Sequence, residues 1–416
     1  MAERLDAEVI VVGGGPAGAS TAHALATQGV DVLVVDRARF PRDKICAEYL
    51  SPEASRILSD MNVLTDVEAT QPAHLLGMKV RSPSGDTAQG EFAANHGFRG
   101  FRDRGLAVRR LILDDIVLRG AEKAGARVEQ GVRVIDLARD GGGRIAGVIA
   151  LAADGKPRTL RSRYVVGADG LRSVVGRRLD LVRTSRIYPR RIALVAHYRD
   201  VAGVTPFGEM HVDYGGYFGI VDVGGGIMNV AVVVPMSRIS SKKEGPTDLF
   251  EGWIAARPYL AERFEHAERL TPVTATGPFA SVSRRPWAPG AALVGDAADF
   301  FDPFTGEGIY AALHGGEILA PFLVEALKAP PSQESKVLAG YQAARKREFG
   351  GKWKLERIVG MAIAYPYFLN NAARALARRK DMADLLVGVA GDFIPTKQVL
   401  NPKFLFNLFI APALGL

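Results

Sequence analysis

Three glycines near the start of the chain have the spacing of a phosphate-binding turn. They belong to a Gly-x-Gly-x-x-Gly pattern that connects a predicted strand at 7–12 with a predicted helix at 16–29, in the run Gly13-Gly14-Gly15-Pro16-Ala17-Gly18. In this pattern Gly13 permits a tight turn, Gly15 lets the backbone approach a pyrophosphate, and Gly18 lets the helix pack closely on the strand. The first amides of the helix then face the phosphates. The pattern therefore predicts a dinucleotide site.

An acidic residue stands where such a site needs a ribose contact. Asp36 ends a second predicted strand at 31–36, and its carboxylate is expected to accept a hydrogen bond from a ribose hydroxyl. Arg37 follows directly, and it either stacks on adenine or is a surface arginine. The alternative for the whole motif is a plain glycine turn. The order of strand, turn, helix, strand and acid favours the dinucleotide.

Two further motifs place an acid at the end of a predicted strand. The second motif is Tyr164-Val165-Val166-Gly167-Ala168-Asp169-Gly170-Leu171-Arg172-Ser173. The third is Leu293-Val294-Gly295-Asp296-Ala297-Ala298, which continues as Asp302-Pro303-Phe304-Thr305-Gly306-Glu307-Gly308-Ile309. The turn at 303–309 opens a predicted helix at 306–327, whose first amides can face an anionic group.

In their order and spacing, the three motifs resemble those of the FAD-dependent oxidoreductases of the para-hydroxybenzoate hydroxylase superfamily. The chain is most similar to the geranylgeranyl reductase branch of that superfamily. Two shorter features carry this finer resemblance: Pro-Arg-x-Lys-x-Cys at 41–46 and Thr-Gly-Glu-Gly-Ile at 305–309. The resemblance covers roughly residues 7–330.

The resemblance implies bound FAD. Asp169 and Gly170 would lie near the pyrophosphate, Asp296 would bond a ribityl or ribose hydroxyl, and Arg110, on a predicted helix at 107–125, would contact the cofactor. Helix amides beyond Pro303 would stabilise the anionic reduced flavin. The residues expected to contact FAD are Gly13, Gly15, Pro16, Ala17, Gly18, Asp36, Arg37, Lys44, Cys46, Arg110, Val132, Asp169, Gly170, Gly295, Asp296, Pro303, Gly306, Glu307, Gly308 and Ile309.

Cys46 and Glu48 are the candidate catalytic residues. In the resembled branch a cysteine of this loop lies near the isoalloxazine and the substrate; the alternative is a small buried hydrophobic residue. Glu48 stands where many relatives have glycine, and it is either an acid that faces the substrate or a surface acid at a helix terminus.

The resemblance leaves two chemistries open. In one, reduced flavin delivers hydride to a carbon–carbon double bond of a hydrophobic, prenyl or lipid-like substrate. In the other, a flavin hydroperoxide hydroxylates an aromatic or polyketide substrate, and a non-catalytic flavin-binding protein is a third possibility. The stretch 217–222 lacks the Trp and Pro of the Tyr-x-Trp-x-Phe-Pro strand found in geranylgeranyl reductases. The chain also lacks the Trp-x-Trp-x-Ile-Pro motif of flavin halogenases.

The elements that position these motifs alternate between two patterns. Residues 1–75, 100–180 and 276–330 predict a discontinuous Rossmann-type FAD-binding domain of α/β class. Short alternating strands at 181–275, together with 76–99, predict an inserted antiparallel β-sheet substrate domain, so the whole chain is α/β (α+β). Residues 331–416 predict a helical C-terminal region.

Composition sets the expected partners and location. Lys plus Arg exceed Asp plus Glu by 53 − 45 = 8, and residues 156–191 alone hold 11 Lys and Arg against 2 acids. Aromatic residues are sparse there, so a phosphate-bearing substrate, a reductant or an anionic membrane fits better than nucleic acid; the alternative is a solvated basic surface. The lone cysteine excludes an intrachain disulfide and favours the cytoplasm. The histidines lack metal-ligand spacing, and we expect no metal.

Two further expectations concern electron supply and the C-terminal tail. No second Gly-x-Gly-x-x-Gly opens another βαβ unit, so NAD(P)H or another external reductant is expected to bind transiently. No apolar stretch is long enough to span a membrane. The apolar tail at 399–416 packs into the core or rests on the inner face of the membrane as a peripheral anchor. We expect a monomer or a homodimer.

The glycine motif predicts a yellow protein that binds FAD non-covalently. Gly15→Val should place a side chain against the pyrophosphate and abolish flavin retention, which the absorbance of the purified variant would show. Normal FAD occupancy in Gly15→Val would contradict the assignment.

Overall fold

The computed structural model describes residues 4–151, 155–184, 190–241 and 245–413. Residues 185–189 of the basic stretch and residues 414–416 of the tail lie outside this description.

All the strands of the described residues lie within the first 300 positions. In chain order they are Ala7–Val12 (β1), Val32–Asp36 (β2), Tyr49–Leu50 (β3), Ala73–Leu75 (β4), Gly77–Arg81 (β5), Thr87–Glu91 (β6), Gly105–Ala107 (β7), Arg127–Gln130 (β8), Arg133–Arg139 (β9), Ile145–Leu151 (β10), Pro157–Gly167 (β11), Val182–Thr184 (β12), Arg191–Arg199 (β13), Phe207–Asp213 (β14), Gly216–Asp222 (β15), Ile227–Pro235 (β16), Glu268–Arg269 (β17), Thr274–Thr276 (β18), Ser281–Ser283 (β19), Trp287–Ala288 (β20), Ala291–Leu293 (β21) and Asp299–Phe300 (β22).

Helices dominate the remainder. The α-helices are Pro16–Ala26 (α1), Pro52–Asp60 (α2), Leu64–Glu68 (α3), Arg110–Lys123 (α4), Val174–Arg178 (α5), Met236–Ser241 (α6), Pro246–Ala255 (α7), Pro258–Phe264 (α8), Gly308–Lys328 (α9), Glu334–Ala364 (α10), Pro366–Arg378 (α11), Lys380–Ala390 (α12) and Pro402–Phe409 (α13). Short 3₁₀ turns cover Gly295–Ala297, Pro303–Thr305, Pro331–Gln333, Thr396–Gln398 and Ala411–Ala413.

The parallel sheet brings the three motifs to one edge. Its strands run in the order β20-β21-β11-β1-β2-β8, and β1, β2, β8, β11 and β21 are mutually parallel. The register pairs Val12 with Gly167 and Gly167 with Leu293. Because these residues end their strands, the loops that follow start side by side, as ligand sites do in open α/β sheets.

The antiparallel sheet has two different faces. Its strands run in the order β17-β13-β16-β15-β14-β5-β6, with β5 and β14 as a parallel pair. Since side chains alternate along a strand, Leu194 and Phe218 pack on one face against α7 and α8. Ala193 and Val195 point to the opposite face and line a cavity.

The expected mixed α/β class and the helical C-terminal region are confirmed. The helix predicted at 107–125 covers Arg110–Lys123, and two strands, β8 and β9, follow it. Gly131, with a φ of +76°, separates them in the left-handed region.

The apolar tail is divided between core and surface. On α13, Phe404 and Leu408 are buried in a cluster with helices α11 and α12, whereas Phe406 and Ile410 are exposed. Among the described residues, no helix is both long and apolar enough to cross a membrane.

A buried ion pair joins the antiparallel sheet to the turn before α9 and to α10. The Arg191 guanidinium on β13 lies 2.8 Å from Asp302, and it also donates to the Gly360 carbonyl on α10 at 3.1 Å. Asp302 accepts a further bond of 2.7 Å from the Tyr217 hydroxyl on β15. Arg191 and Asp302 are both almost fully buried.

Arg191→Met should destabilise the protein strongly, because it leaves the Asp302 carboxylate buried without its cation. Loss of one partner of a buried pair costs about 3–5 kcal/mol of unfolding free energy. Urea unfolding measures the change, and Arg199→Met, at the exposed end of the same strand, is the matched control. Equal unfolding midpoints for the two variants would refute this role.

Candidate active site

A cavity of about 330 Å³ lies where the two sheets and the C-terminal helices meet. The carboxyl edge of the parallel sheet forms one wall, through the loops after β1, β11 and β21. The inner face of the antiparallel sheet forms a second wall. Residues of α10 and α12, among them Leu355, Glu356, Val359 and Leu386, form a third.

The three motifs contact one another at this cavity. A Cβ atom on Gly13, where φ is +105°, would come within 2.5 Å of the Ala168 carbonyl oxygen. A Cβ atom on Gly295 would come within 2.8 Å of the Ala17 Cβ. A side chain at either position would force the loops apart. The close approach leaves the first amides of α1 facing a glycine-lined cradle, which fits a dinucleotide phosphate.

Fourteen of the residues predicted to contact FAD line the cavity. They are Gly15, Pro16, Ala17, Lys44, Cys46, Arg110, Gly170, Gly295, Asp296, Pro303, Gly306, Glu307, Gly308 and Ile309.

Gly13, Gly18, Asp36, Arg37, Val132 and Asp169 do not line it. The buried Asp36 carboxylate accepts hydrogen bonds from the Gly14 amide at 2.7 Å and the Ala38 amide at 2.8 Å. The bond from Gly14 holds the glycine turn in place. The Val132 amide donates to the Asp36 carbonyl at 2.8 Å, whereas the Arg37 side chain is exposed. A ribose contact by Asp36 stays a prediction.

The Asp169 carboxylate turns away from the cavity. It accepts from the Val174 amide, the first of α5, at 2.6 Å, beside the N-cap residue Ser173. Burial raises its pKa, although the bonds from Ser173 and from backbone amides oppose the rise. The part of this motif that reaches the cavity is Gly170, with a φ of +76°.

Two guanidinium groups share one buried carboxylate beside the glycine turn. Arg110 binds Asp114 through two bonds of 2.6 and 2.8 Å, and Arg42 contacts the same carboxylate at 2.7 Å. The trio carries one net positive charge. An Arg42 nitrogen lies only 3.3 Å from the position of a Cβ on Gly15, so this charge faces the predicted phosphate position. Neither Arg42 nor Asp114 was among the residues expected to contact FAD, although Arg42 belongs to the Pro-Arg-x-Lys-x-Cys feature at 41–46.

Lys44 and Asp296 contact each other across the cavity. The Lys44 ammonium lies 3.6 Å from the Asp296 carboxylate, and both side chains are partly exposed. The third motif therefore meets the loop that follows β2 directly, and Asp296 keeps an accessible acceptor for a hydroxyl group.

Cys46 lines the cavity, but Glu48 does not. The half-buried Cys46 lies beside the Arg110 guanidinium. Glu48 is 1% exposed; it accepts from the Arg110 amide at 2.7 Å and the Asn229 side-chain amide at 2.9 Å, and it lies 2.8 Å from His197 Nε2. The surface position that was one expectation for Glu48 is wrong, because the carboxylate is buried and ties the loop to α4 and the antiparallel sheet. A role for Glu48 toward the substrate stays a prediction.

A second charged group lies at the opposite end of the cavity. Glu307 precedes α9 and is buried; its carboxylate lies 3.8 Å from the Lys352 ammonium of α10. Burial raises the pKa of Glu307, and the charge of Lys352 opposes the rise. Glu356, one helical turn beyond Lys352, also lines the cavity. Lys352 and Glu356 lie beyond the motifs, so no sequence signal marked them.

These features define an FAD-dependent oxidoreductase. The FAD binding domain family matches residues 6–349. The chain belongs to this family, and the resemblance to the para-hydroxybenzoate hydroxylase superfamily is confirmed.

Known proteins resemble nearly the whole chain. Menaquinone reductase of Mycobacterium tuberculosis is 28% identical over 412 residues, which covers 93% of this chain and 91% of the relative. Digeranylgeranylglycerophospholipid reductase 2 of Methanopyrus kandleri is 28% identical, and the alignment covers 96% of this chain and 97% of the relative. The solved structure of a flavoprotein/dehydrogenase from Cytophaga hutchinsonii superposes with a TM-score of 0.81 at 22% identity. The superposition covers 96% of this chain and 95% of that protein. That last likeness shows the fold alone.

Asp296→Ala should weaken FAD binding and leave the fold intact. One hydrogen bond to a charged group is worth about 1.5–3 kcal/mol, or roughly a ten- to hundredfold change in the dissociation constant. Flavin fluorescence titration measures this, with Asp136→Ala, a partly exposed acid on β9 outside the cavity, as the control. An unchanged dissociation constant would mean that Asp296 does not contact the cofactor.

Proposed function

We propose that this oxidoreductase reduces a carbon–carbon double bond of a hydrophobic, prenyl or lipid-like substrate. The observation that carries the proposal is the continuous apolar wall opposite the glycine cradle. Val80, Val195, Met210 and Val233 of the antiparallel sheet form one side of it. Leu355, Val359, Leu386 and Val387 of the C-terminal helices form the other side.

The relatives support the same substrate class. Menaquinone and digeranylgeranylglycerophospholipid, which the names of the two relatives specify, both carry long isoprenoid chains. Such a chain gains free energy along an apolar wall, at about 25 cal/mol per Å² of buried apolar surface. Where that strand of the geranylgeranyl reductases has Trp and Pro, this chain has Gly219 and Asp222, and Gly219 lines the cavity. Because the strand differs there, the proposal specifies an isoprenoid substrate and not a geranylgeranyl chain in particular.

Different residues of the chain bind the phosphates, the flavin ring and the substrate. When bound, reduced FAD supplies a hydride. Arg42 and Arg110 hold negative charge at the phosphates, and the first amides of α1 bind there as well. The amides at the start of α9 hold an anionic ring edge. The apolar walls exclude water from the reacting double bond.

Electrons reach the flavin from outside the chain in this proposal. We assign the donor role to NAD(P)H or another external reductant that docks transiently, since the sequence holds a single Gly-x-Gly-x-x-Gly that opens a βαβ unit. This motif follows β1 of the parallel sheet, where we assign the FAD, so it is not left for a second nucleotide.

We further propose that the protein works in the cytoplasm, at the inner face of a membrane. Four aromatic and two aliphatic side chains, each 42% to 64% exposed, lie around the junction of α10 with α11 and along α13. We call this set the aromatic patch: Met361, Tyr365, Tyr367, Phe368, Phe406 and Ile410. The rings of Phe368 and Phe409 lie 6.4 Å apart and join α11 to α13. The exposed Lys354 and Lys403 stand on the same helices and suit an anionic surface.

The aromatic patch also borders the cavity. Ile363 and Leu369, on the buried sides of the same helices, pack in one apolar cluster with the cavity-lining residues Val195 and Phe304. A lipid substrate would therefore have a short apolar path from a membrane to the flavin.

Product analysis separates reduction from oxygenation. Reduced holoenzyme is given a polyprenyl lipid, once without oxygen and once with isotopically labelled dioxygen. We expect a product that gains two hydrogens in both cases, and no labelled oxygen in it. The Gly15→Val protein, expected to lack flavin, is the control. A labelled, hydroxylated product would establish the monooxygenase reaction and contradict the proposal.

Liposome flotation tests the aromatic patch. The protein should float with phosphatidylglycerol-containing vesicles, and added salt should weaken the association. Phe368→Glu combined with Phe406→Glu should abolish flotation while FAD binding is kept. Leu5→Glu, exposed before β1 at the opposite edge of the parallel sheet, should float like the wild type. A wild-type protein that stays at the bottom of the gradient would contradict the membrane proposal.

A further inference from the structure

Three carboxyl groups surround a single ammonium group at the α10 side of the cavity. Lys352 contacts Asp392 and lies 3.8 Å from Glu307. Glu356 follows Lys352 by one helical turn, and its Oε2 is enclosed without a hydrogen-bond partner. If all three carboxyl groups were ionised, this buried cluster would carry two uncompensated negative charges. Burial of unpaired charge is so costly that a group takes up a proton instead.

The arrangement of charges makes Glu356 the member of the cluster best placed to hold the proton. Of the six carboxyl groups lining the cavity, five have a cation partner within 4 Å: Glu209 with Arg263, Asp296 with Lys44, Asp299 with Arg345, Asp302 with Arg191, and Glu307 with Lys352. In the described part of the chain, Glu356 has none. Burial raises its pKa well above the usual value, and the charges of Glu307, Asp302 and Asp299 add to the rise, against the charge of Lys352.

We propose that Glu356 is the acid that protonates the substrate during reduction of its double bond, an inference that rests on the proposed function. Glu356 stands on the α10 wall of the cavity, beside Leu355 and Val359, and it is not part of the Arg42, Arg110 and Asp114 network. A neutral carboxylic acid that lines an apolar cavity is a suitable general acid at neutral pH.

The step balances in atoms and electrons. One alkene carbon accepts a hydride, with two electrons, from the reduced flavin, which is oxidised by two electrons. The O–H bond of Glu356 breaks as a C–H bond forms at the other alkene carbon. Glu356 is left as a carboxylate within reach of the Lys352 charge, and it recovers its proton from water after the product leaves.

Glu356→Gln keeps the size of the side chain and removes the transferable proton. Glu348→Gln is the matched control, because Glu348 lies on the same helix, is 45% exposed and pairs with His314 outside the cavity. Infrared spectra of the oxidised holoproteins at neutral pH report the C=O stretch of a protonated carboxyl group. This band should be weaker in Glu356→Gln than in the wild type and in Glu348→Gln. Identical bands in all three proteins would overturn the proposal.

The second readout is the reoxidation of anaerobically reduced enzyme by menaquinone in detergent micelles. Glu356→Gln should slow this step by about 10²–10⁴-fold and remove its decline at alkaline pH, whereas photoreduction of FAD and the FAD dissociation constant stay unchanged. A reduced rate that keeps the wild-type pH profile, or a wild-type rate, would overturn the role of Glu356 alone. A wild-type enzyme that leaves the side-chain double bonds of menaquinone intact would contradict the proposed function, and the role of Glu356 would fall with it.

Discussion

The buried pair of Arg191 and Asp302 is the interaction on which the rest of the structure depends. Asp302 belongs to the turn before α9, Arg191 to the antiparallel sheet, and the Gly360 carbonyl that Arg191 also binds to α10. Two charges taken out of water are costly, and this cost is offset only when every lone pair and N–H finds a partner. Here the Tyr217 hydroxyl and the Phe304 amide complete the set around Asp302. One pair thus fixes the three walls of the cavity relative to one another.

The cavity has two charged ends and an apolar middle. Near α1, two guanidinium groups share the Asp114 carboxylate and leave a positive charge for phosphates. Near α10, Lys352 lies among three carboxyl groups, which favours a neutral acid over an anion. Between them the sheet and helices present aliphatic side chains. This division suits the phosphates of an extended cofactor near α1, its ring near the start of α9, and a lipid chain along the apolar middle, with proton supply from α10.

The sequence predicted the parts of the site that depend on local backbone geometry. Gly13, Gly170 and Gly295 follow strand ends and adopt positive φ angles, so their motifs were recognisable without the fold. The structural role of Glu48 was not predictable, because its hydrogen-bond partners His197 and Asn229 lie some 150 to 180 positions away along the chain. Glu356 and Lys352 belong to a helix outside the motifs, and only tertiary packing gives them a role. The tail was ambiguous because α13 has both a buried and an exposed apolar side.

The central claim is that electrons pass from the reduced flavin to an isoprenoid double bond along the apolar wall. The most direct measurement is a single anaerobic turnover of reduced holoenzyme with one equivalent of menaquinone, followed by mass spectrometry of the reoxidised product. This account predicts that the isoprenoid side chain gains two hydrogens. A side chain of unchanged mass, with electrons delivered only to the quinone ring, would contradict it.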